Sequence, residues 1–129
     1  LHFSFFFYSY GDHRDLHSFP TRRSSDLERH GLPAHATCIF HLFSGSGEDL
    51  NRLRALGCLV SVNECMLATR RGRAYARQLP EDALLLETDA PAWLDAPCHT
   101  LSLLAEIRGT STQTLAPALA ETSVRLLRL

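Results

Sequence analysis

Two side chains with complementary chemistry lie at the ends of apolar stretches of this sequence. His41 is near the end of residues 36–43, and Asp89 directly follows residues 83–88. Buried strands of parallel sheets are near-continuous apolar runs, and in α/β barrels the chemistry lies where such strands end. Imidazole and carboxylate are ligands of hydrolytic metal sites, where a bound water becomes acidic. The pattern predicts His41 and Asp89 as metal ligands and Asp89 as the catalytic proton acceptor, although a structural His41, bonded to backbone, is the alternative.

Three further polar residues stand near these two in the sequence. Glu87 lies two residues before Asp89, on the same face of a strand, and could orient a metal ligand. An equally good alternative is that Glu87 is a polar residue in a network of polar groups at the end of the strand. Ser44 opens a glycine-containing turn before a helix, where backbone N–H groups can bind phosphate, but such turns are common without a ligand. His99 follows the third predicted strand in a loop and could contact substrate. Glu87, Ser44 and His99 are therefore candidates for orienting the metal ligands or contacting the substrate.

The elements that position these residues alternate between strand and helix. Such alternation indicates parallel βα units joined by right-handed crossovers. We expect an α/β fold, specifically a partial TIM-like (β/α) barrel that contains the last three βα units only, because a whole barrel needs about 200–250 residues. The predicted strands are residues 36–43, 58–62 and 83–88, and the predicted helices lie between Ser46 and Gly57, over 66–79 and over 101–108.

Local signals set some of the helix ends. Ser46 and Asp49 have the spacing of a capping box at a helix start, and Gly57 is suited to end that helix. In the last segment, residues 111–129, helical spacing is interrupted by Pro117, which predicts two short helices or a kink.

The composition of the chain disfavours several classes of protein. A formal net charge of −1 gives no electrostatic case for a dedicated nucleic-acid-binding module, which usually has a basic face. The four cysteines lack C-x-x-C spacing, which disfavours structural zinc and favours reduced thiols in a cytoplasmic protein. No apolar run reaches transmembrane length, so no membrane partner is expected.

The first 27 residues differ in kind from the rest. Residues 11–27 match, without interruption, the translation of a short-read sequencing adapter, and they show no helical or strand periodicity. We therefore expect residues 1–27 to be a non-native, disordered segment that is excluded from fold reasoning. The protein proper is expected to be residues 28–129.

Two motifs give the sequence a resemblance to a known family. Residues 86–91, Leu-Glu-Thr-Asp-Ala-Pro, together with the upstream motif His41-x-Phe-Ser-Gly-Ser, resemble the TatD family of metal-dependent hydrolases. The resemblance covers residues 31–128 and implies a TIM-like barrel with one or two divalent ions, Mg²⁺, Mn²⁺ or Zn²⁺. It implies hydrolysis, most often of phosphodiester bonds in DNA, with His41 as a metal ligand and Asp89 as the residue that binds metal and activates water.

The resemblance also indicates what is missing. The family's first-strand His-x-His, a bridging glutamate and a further histidine ligand belong upstream of Glu28. We therefore expect residues 28–129 to be the C-terminal part of a deoxyribonuclease barrel, inactive alone, whose parent acts on DNA or another phosphodiester and requires no obligate protein partner. Two alternatives stay open: an amidohydrolase-type metal enzyme acting on C–N or ester bonds, and a non-catalytic remnant or interaction module.

Overall fold

The structure, a computed structural model, describes residues 4–7, 29–30, 36–88 and 96–127. Within these ranges the chain forms four parallel strands, each paired with the next along the sequence. The strands are β1 (Ser4–Phe7), β2 (Thr37–His41), β3 (Leu59–Val62) and β4 (Leu84–Leu86), and the helices are α1 (Gly47–Ala55), α2 (Glu64–Leu67), α3 (Arg70–Gln78), α4 (Ala96–Arg108) and α5 (Thr112–Leu127), with a 3-10 turn at Glu81–Ala83.

The strand order explains the barrel-like architecture. Because each strand neighbours its successor and crossovers between parallel strands are right-handed, the connections from β2 to β3 and from β3 to β4 lie on one face of the sheet. This is the arrangement of (β/α) barrels, whereas doubly wound sheets reverse direction and carry helices on both faces. The predicted α/β fold with parallel βα units is confirmed. The described part of the sheet is open, with β1 and β4 at its edges, as expected for part of a barrel.

The two faces of the sheet carry different side chains. Alternate strand residues, among them Phe40 and Val60, point toward the helices and join the main hydrophobic core. On the opposite face, His41 and Ser61 are register partners, and Ser61 is in turn the partner of Leu85. The face that would line a barrel interior therefore becomes polar at the carboxyl ends of its strands.

The predicted ends of α1 agree with the structure. The Ser46 hydroxyl accepts from the Asp49 N–H at 3.1 Å, and the Asp49 carboxylate accepts from the Ser46 N–H at 3.2 Å, so the capping box is complete. Gly57 has a φ of 72°, which only glycine adopts at little cost.

The predicted helix over residues 66–79 is two helices, α2 and α3. The break occurs because Thr69 caps a new helix, its hydroxyl accepting from the Gly72 N–H at 2.9 Å. Gly72 allows the two helices to meet closely, since a Cβ there would lie 2.0 Å from the Met66 carbonyl oxygen. This contact between neighbouring helices is not encoded in the helical periodicity, so the sequence pattern did not reveal it.

The last two helices also differ from prediction. Helix α4 begins at Ala96, well before residue 101, and Pro97 fits its first turn because the missing N–H has no partner there anyway. Helix α5 runs continuously from Thr112 to Leu127 through Pro117, so the two-helix alternative is wrong. Pro117 lies early in α5 and deletes only one N–H→O=C bond of the helix. No helix in the described ranges is both long and apolar enough to cross a bilayer.

Strand β1 lies in the segment for which the sequence predicts disorder. Residues 4–7 pair in parallel with residues 37–40 of β2, so disorder does not describe these four residues. A run of phenylalanines has high β propensity, and β2 otherwise presents unpaired backbone groups on that side. Residues 11–27 lie outside the described ranges, and their adapter origin stays a prediction.

Candidate functional site

Three side chains meet at the carboxyl edge of the sheet. His41 is the last residue of β2, and Glu87 follows β4 with its N–H donating to the Val62 carbonyl at 3.0 Å. Nδ1 of His41 contacts Oε2 of Glu87. The hydroxyl of Ser61, on the intervening strand β3, donates to the same Oε2 at 2.7 Å. The parallel register thus joins residues that are distant in the sequence into one polar group.

The carboxylate contact fixes the orientation of the imidazole. The side chains of His41 and Glu87 are only 10% and 19% exposed, so their interaction is shielded from water. A neutral imidazole that bonds a carboxylate through Nδ1 carries its proton there and its lone pair at Nε2. Histidines that bind metals usually donate their other ring N–H to a carboxylate or carbonyl in this way. The pair therefore has the chemistry of an oriented metal ligand.

The second oxygen of Glu87 is also informative. Oε1 is buried and has no hydrogen-bond partner within the described ranges, whereas Oε2 receives both contacts. A buried acceptor without a donor costs about 1–3 kcal/mol. A cation nearby would compensate this cost. The imidazole of His41, oriented by Glu87, consequently fits a divalent ion, with the Glu87 carboxylate beside that site.

The backbone turns sharply directly after His41. Leu42 has a φ of 50°, a left-handed conformation that costs an L-residue about 1–2 kcal/mol. The turn returns Phe43 to the core, where its ring packs 5.6 Å from that of Tyr75 between centroids. The Tyr75 hydroxyl donates to the Gly45 carbonyl at 2.8 Å. The packing of the loop after Leu42 thus stabilises the strained backbone beside His41.

Ser44 lies in this loop and is exposed. Its carbonyl accepts from Nη1 of Arg71 at 3.1 Å. The start of α1 behind it already holds the Asp49 carboxylate, and Glu48 adds a second acid to the first turn. These charges disfavour phosphate at that helix end, so a substrate-side role for Ser44 would depend on its own hydroxyl and on Arg71.

His99 belongs to a second histidine–carboxylate pair. Its Nδ1 lies 2.6 Å from Oε1 of Glu64, and the two side chains are 68% and 49% exposed. His99 was expected in a loop, but it lies in the first turns of α4, because that helix begins earlier than its periodicity suggested. Glu64 follows β3, so the pair links two connections on the same side of the sheet as His41. The sequence indicated His99 as a candidate for contacting the substrate but did not indicate its contact with Glu64.

The remaining ligand prediction falls on Asp89, which lies outside the described ranges. In the residues that are described, no cluster of three or more His, Cys, Asp or Glu side chains forms a metal site. His41 and Glu87 are brought together, while Ser44 and His99 contact other partners. Ser61 was missed, and its one sequence signal is a hydroxyl inside the apolar strand Leu59–Val62.

The cysteines lie away from this group or on the surface. Cys38 and Cys58 are buried and form no disulfide, and they lie near the opposite ends of β2 and β3 from His41. A hydrogen bond from Cys38 lowers the pKa of the Cys58 thiol below its usual value, against the opposing effect of burial. These thiols belong to the core and take no part in the candidate metal site.

Comparison with known proteins identifies the family. The model of the TatD-related DNase family matches residues 23–128. A 3′-5′ ssDNA/RNA exonuclease TatD of Pantoea vagans is 32% identical over 116 residues, which cover 76% of this chain and 45% of that protein. A Tat-D deoxyribonuclease of Saccharomyces cerevisiae is 44% identical over 55 residues, which cover 41% of this chain and 13% of that protein.

A solved structure agrees with the sequence matches. The TatD homologue YJJV of Escherichia coli superposes with a TM-score of 0.71 and 27% identity, covering 83% of this chain and 46% of that one. The chain thus spans less than half of these relatives. The family model covers most of the chain, and the matched region contains both motifs and the parallel βα units that present them, so this chain belongs to the TatD-related DNase family.

Proposed function

We propose that this chain is the C-terminal part of a divalent-metal-dependent nuclease that hydrolyses phosphodiester bonds of DNA or RNA. The observation that carries the proposal is the part-buried contact between His41 and Glu87 at the carboxyl edge of the sheet. Family membership and the nuclease names of the relatives support the choice of substrate. Nothing in the described site favours a C–N or ester substrate over a phosphodiester.

The proposed roles follow from the chemistry of each side chain. His41 and Asp89 would hold the ion, Mg²⁺, Mn²⁺ or Zn²⁺, since carboxylate suits Mg²⁺ and Mn²⁺ and the pair of imidazole and carboxylate suits Zn²⁺. Bound there, the ion would supply acidification of a water and polarisation of a phosphoryl oxygen. Glu87 holds the Nδ1 proton of His41 and so keeps the lone pair at Nε2. Asp89 would accept the proton that the attacking water loses.

The chain alone is proposed to be inactive. It spans half or less of the relatives that it matches, and the other ligands of the family's site belong to an earlier part of the barrel. Two ligands bind a divalent ion weakly, whereas catalytic sites use three or more protein ligands. The proposed nuclease activity is therefore that of a longer protein, for which a cytoplasmic location stays a prediction.

Metal binding by this chain tests the proposal. Because a ligand that binds only the folded state raises its stability, we expect millimolar Mn²⁺ to raise the melting temperature. His41→Ala and Asp89→Asn should each abolish the rise, and Glu106→Gln, a change on the outer helix α4, serves as the matched control. A rise of equal size in all of these variants would contradict the proposed site.

Hydrolysis is measured separately with a labelled single-stranded oligonucleotide in Mn²⁺. We expect no turnover by the chain alone. Turnover that disappears in Asp89→Asn would overturn the proposed inactivity while supporting the nuclease assignment.

A further inference from the structure

A cleft opens beside the candidate metal site. It lies between the loop after β2 and the helices α2 and α3, and its volume is about 490 Å³, within the usual range for small-molecule sites. Leu42, which directly follows His41, forms part of its wall. The cleft therefore opens on the same edge of the sheet as the proposed chemistry.

The cleft has an apolar floor and a polar rim. Phe43 and Met66 are buried and contribute its floor. Ser44, Arg71 and the exposed Cys65 contribute its rim. An apolar pocket with a few polar groups at its mouth is typical of a ligand site.

One arginine, Arg71, lines this rim, and Arg70 and Arg73 lie in the same first turns of α3. Arg70, Arg71 and Arg73 are exposed, and the first turn of the helix contains no acid. The only side-chain contact of the three within the described ranges is that of Arg71 with the Ser44 carbonyl. Cations near a helix N-terminus oppose the helix dipole, so these charges do not stabilise α3. An anionic ligand would offset the unfavourable interaction.

We infer that the cleft and Arg71 form a subsite for single-stranded nucleic acid, with one base in the cleft and the adjoining phosphate against Arg71. The inference rests on the proposed function, since it assigns part of the same substrate to residues outside the metal site. A base must be unstacked to enter a cleft of this size, which selects a single strand over a duplex. The apolar floor provides the surface for the base, and Arg71 provides a charge for the nucleic-acid backbone.

Binding of an oligonucleotide under conditions that prevent hydrolysis tests the role of Arg71. The probe is a short fluorescein-labelled oligodeoxythymidylate, measured by anisotropy in EDTA so that no hydrolysis occurs. Arg71→Ala should weaken the Kd by about three- to fivefold, the value of one exposed ion pair, and should reduce the slope of log K against log salt by about 0.7. The matched control is Arg54→Ala, since Arg54 is equally exposed but lies in the last turn of α1, toward the opposite edge of the sheet.

Protection of Cys65 tests the cleft itself. In a Cys98→Ser background, Cys65 is the one exposed thiol, because Cys38 and Cys58 are buried. The oligonucleotide should slow alkylation of Cys65 by N-ethylmaleimide at least severalfold. Protection should be kept in Arg54→Ala and reduced in Arg71→Ala at the same oligonucleotide concentration.

Several outcomes would overturn the subsite. These are no binding in EDTA, equal Kd values for Arg71→Ala and Arg54→Ala, or binding that leaves Cys65 alkylation unchanged. A different result would contradict the proposed function but not the subsite. In that case the oligonucleotide binds and protects Cys65, but the stabilisation by Mn²⁺ does not depend on His41 or Asp89.

Discussion

Two histidine–carboxylate pairs lie at the carboxyl edge of this sheet, and they differ in their exposure to solvent. His41 and Glu87 are 10% and 19% exposed, whereas His99 and Glu64 are 68% and 49% exposed. The part-buried pair of His41 and Glu87, which we call the buried pair in contrast to the other, has a third member, the Ser61 hydroxyl, on the same carboxylate oxygen. The exposed pair has no such support in the described part of the chain. Similar chemistry therefore gives an oriented, desolvated ligand in one place and a solvated surface contact in the other.

The difference in exposure changes the strength of the electrostatic interaction within each pair. Exposed ion pairs are screened by water and salt and contribute about 0–1 kcal/mol. Buried charges interact more strongly, and removal of one partner leaves the other desolvated without compensation. The buried pair should therefore control metal binding and local stability, and the exposed pair should affect both only weakly.

The largest expected difference between the pairs is in metal affinity. Glu87→Gln keeps the shape of the side chain but removes the charge that orients the His41 imidazole. Loss of such an orienting carboxylate typically costs about 10- to 100-fold in metal affinity, which isothermal titration with Mn²⁺ or Zn²⁺ would measure. The matched change Glu64→Gln should leave the affinity within about twofold, and an equal loss in both variants would erase the distinction between the pairs.

A smaller difference is expected from the hydroxyl that only the buried pair possesses. Ser61→Ala removes a donor to the Glu87 carboxylate and should lower the free energy of unfolding by about 1.5–3 kcal/mol, the usual value for a hydrogen bond to a charged group. Urea denaturation measures this change. Ser102→Ala, an exposed serine of α4 whose hydroxyl donates to a backbone carbonyl, should change the free energy by less than about 0.5 kcal/mol. Equal decreases in the free energy of unfolding for Ser61→Ala and Ser102→Ala would show that the Ser61 hydrogen bond contributes little to stability.

The smallest effect is expected for the exposed pair. His99→Ala should lower the free energy of unfolding by less than about 1 kcal/mol, and the difference from the parent chain should vanish at about 1 M salt. Denaturation at low and high salt checks this. A salt-independent loss of several kcal/mol would indicate that the His99–Glu64 contact is not a surface pair.

The sequence was sufficient for the parts of the fold that depend on local signals. The apolar runs located three strands, and the capping box located the start of α1. The strand-end rule placed His41 and Glu87 at one edge, where the structure brings them into contact.

Features that depend on contacts between distant segments were not predictable in this way. Ser61 reaches Glu87 only because β3 lies between β2 and β4 in a fixed register. The separation of α2 from α3 was missed for a different reason, because its causes, the Thr69 cap and the close approach of Gly72 to Met66, are local but not periodic. The His99–Glu64 contact likewise joins two connections that are 35 residues apart. None of these arrangements leaves a periodic signal in the sequence.

The most direct test of the central claim compares the two histidines during one titration. Chain labelled with ¹⁵N-histidine is titrated with substoichiometric Mn²⁺, and the imidazole signals are assigned with the His41→Ala and His99→Ala variants. We predict that the His41 signals broaden first and that Glu87→Gln removes this preference. Broadening of the His99 signals at an equal or lower Mn²⁺ concentration, with those of His41 unaffected, would contradict the assignment of the buried pair as the metal-binding one.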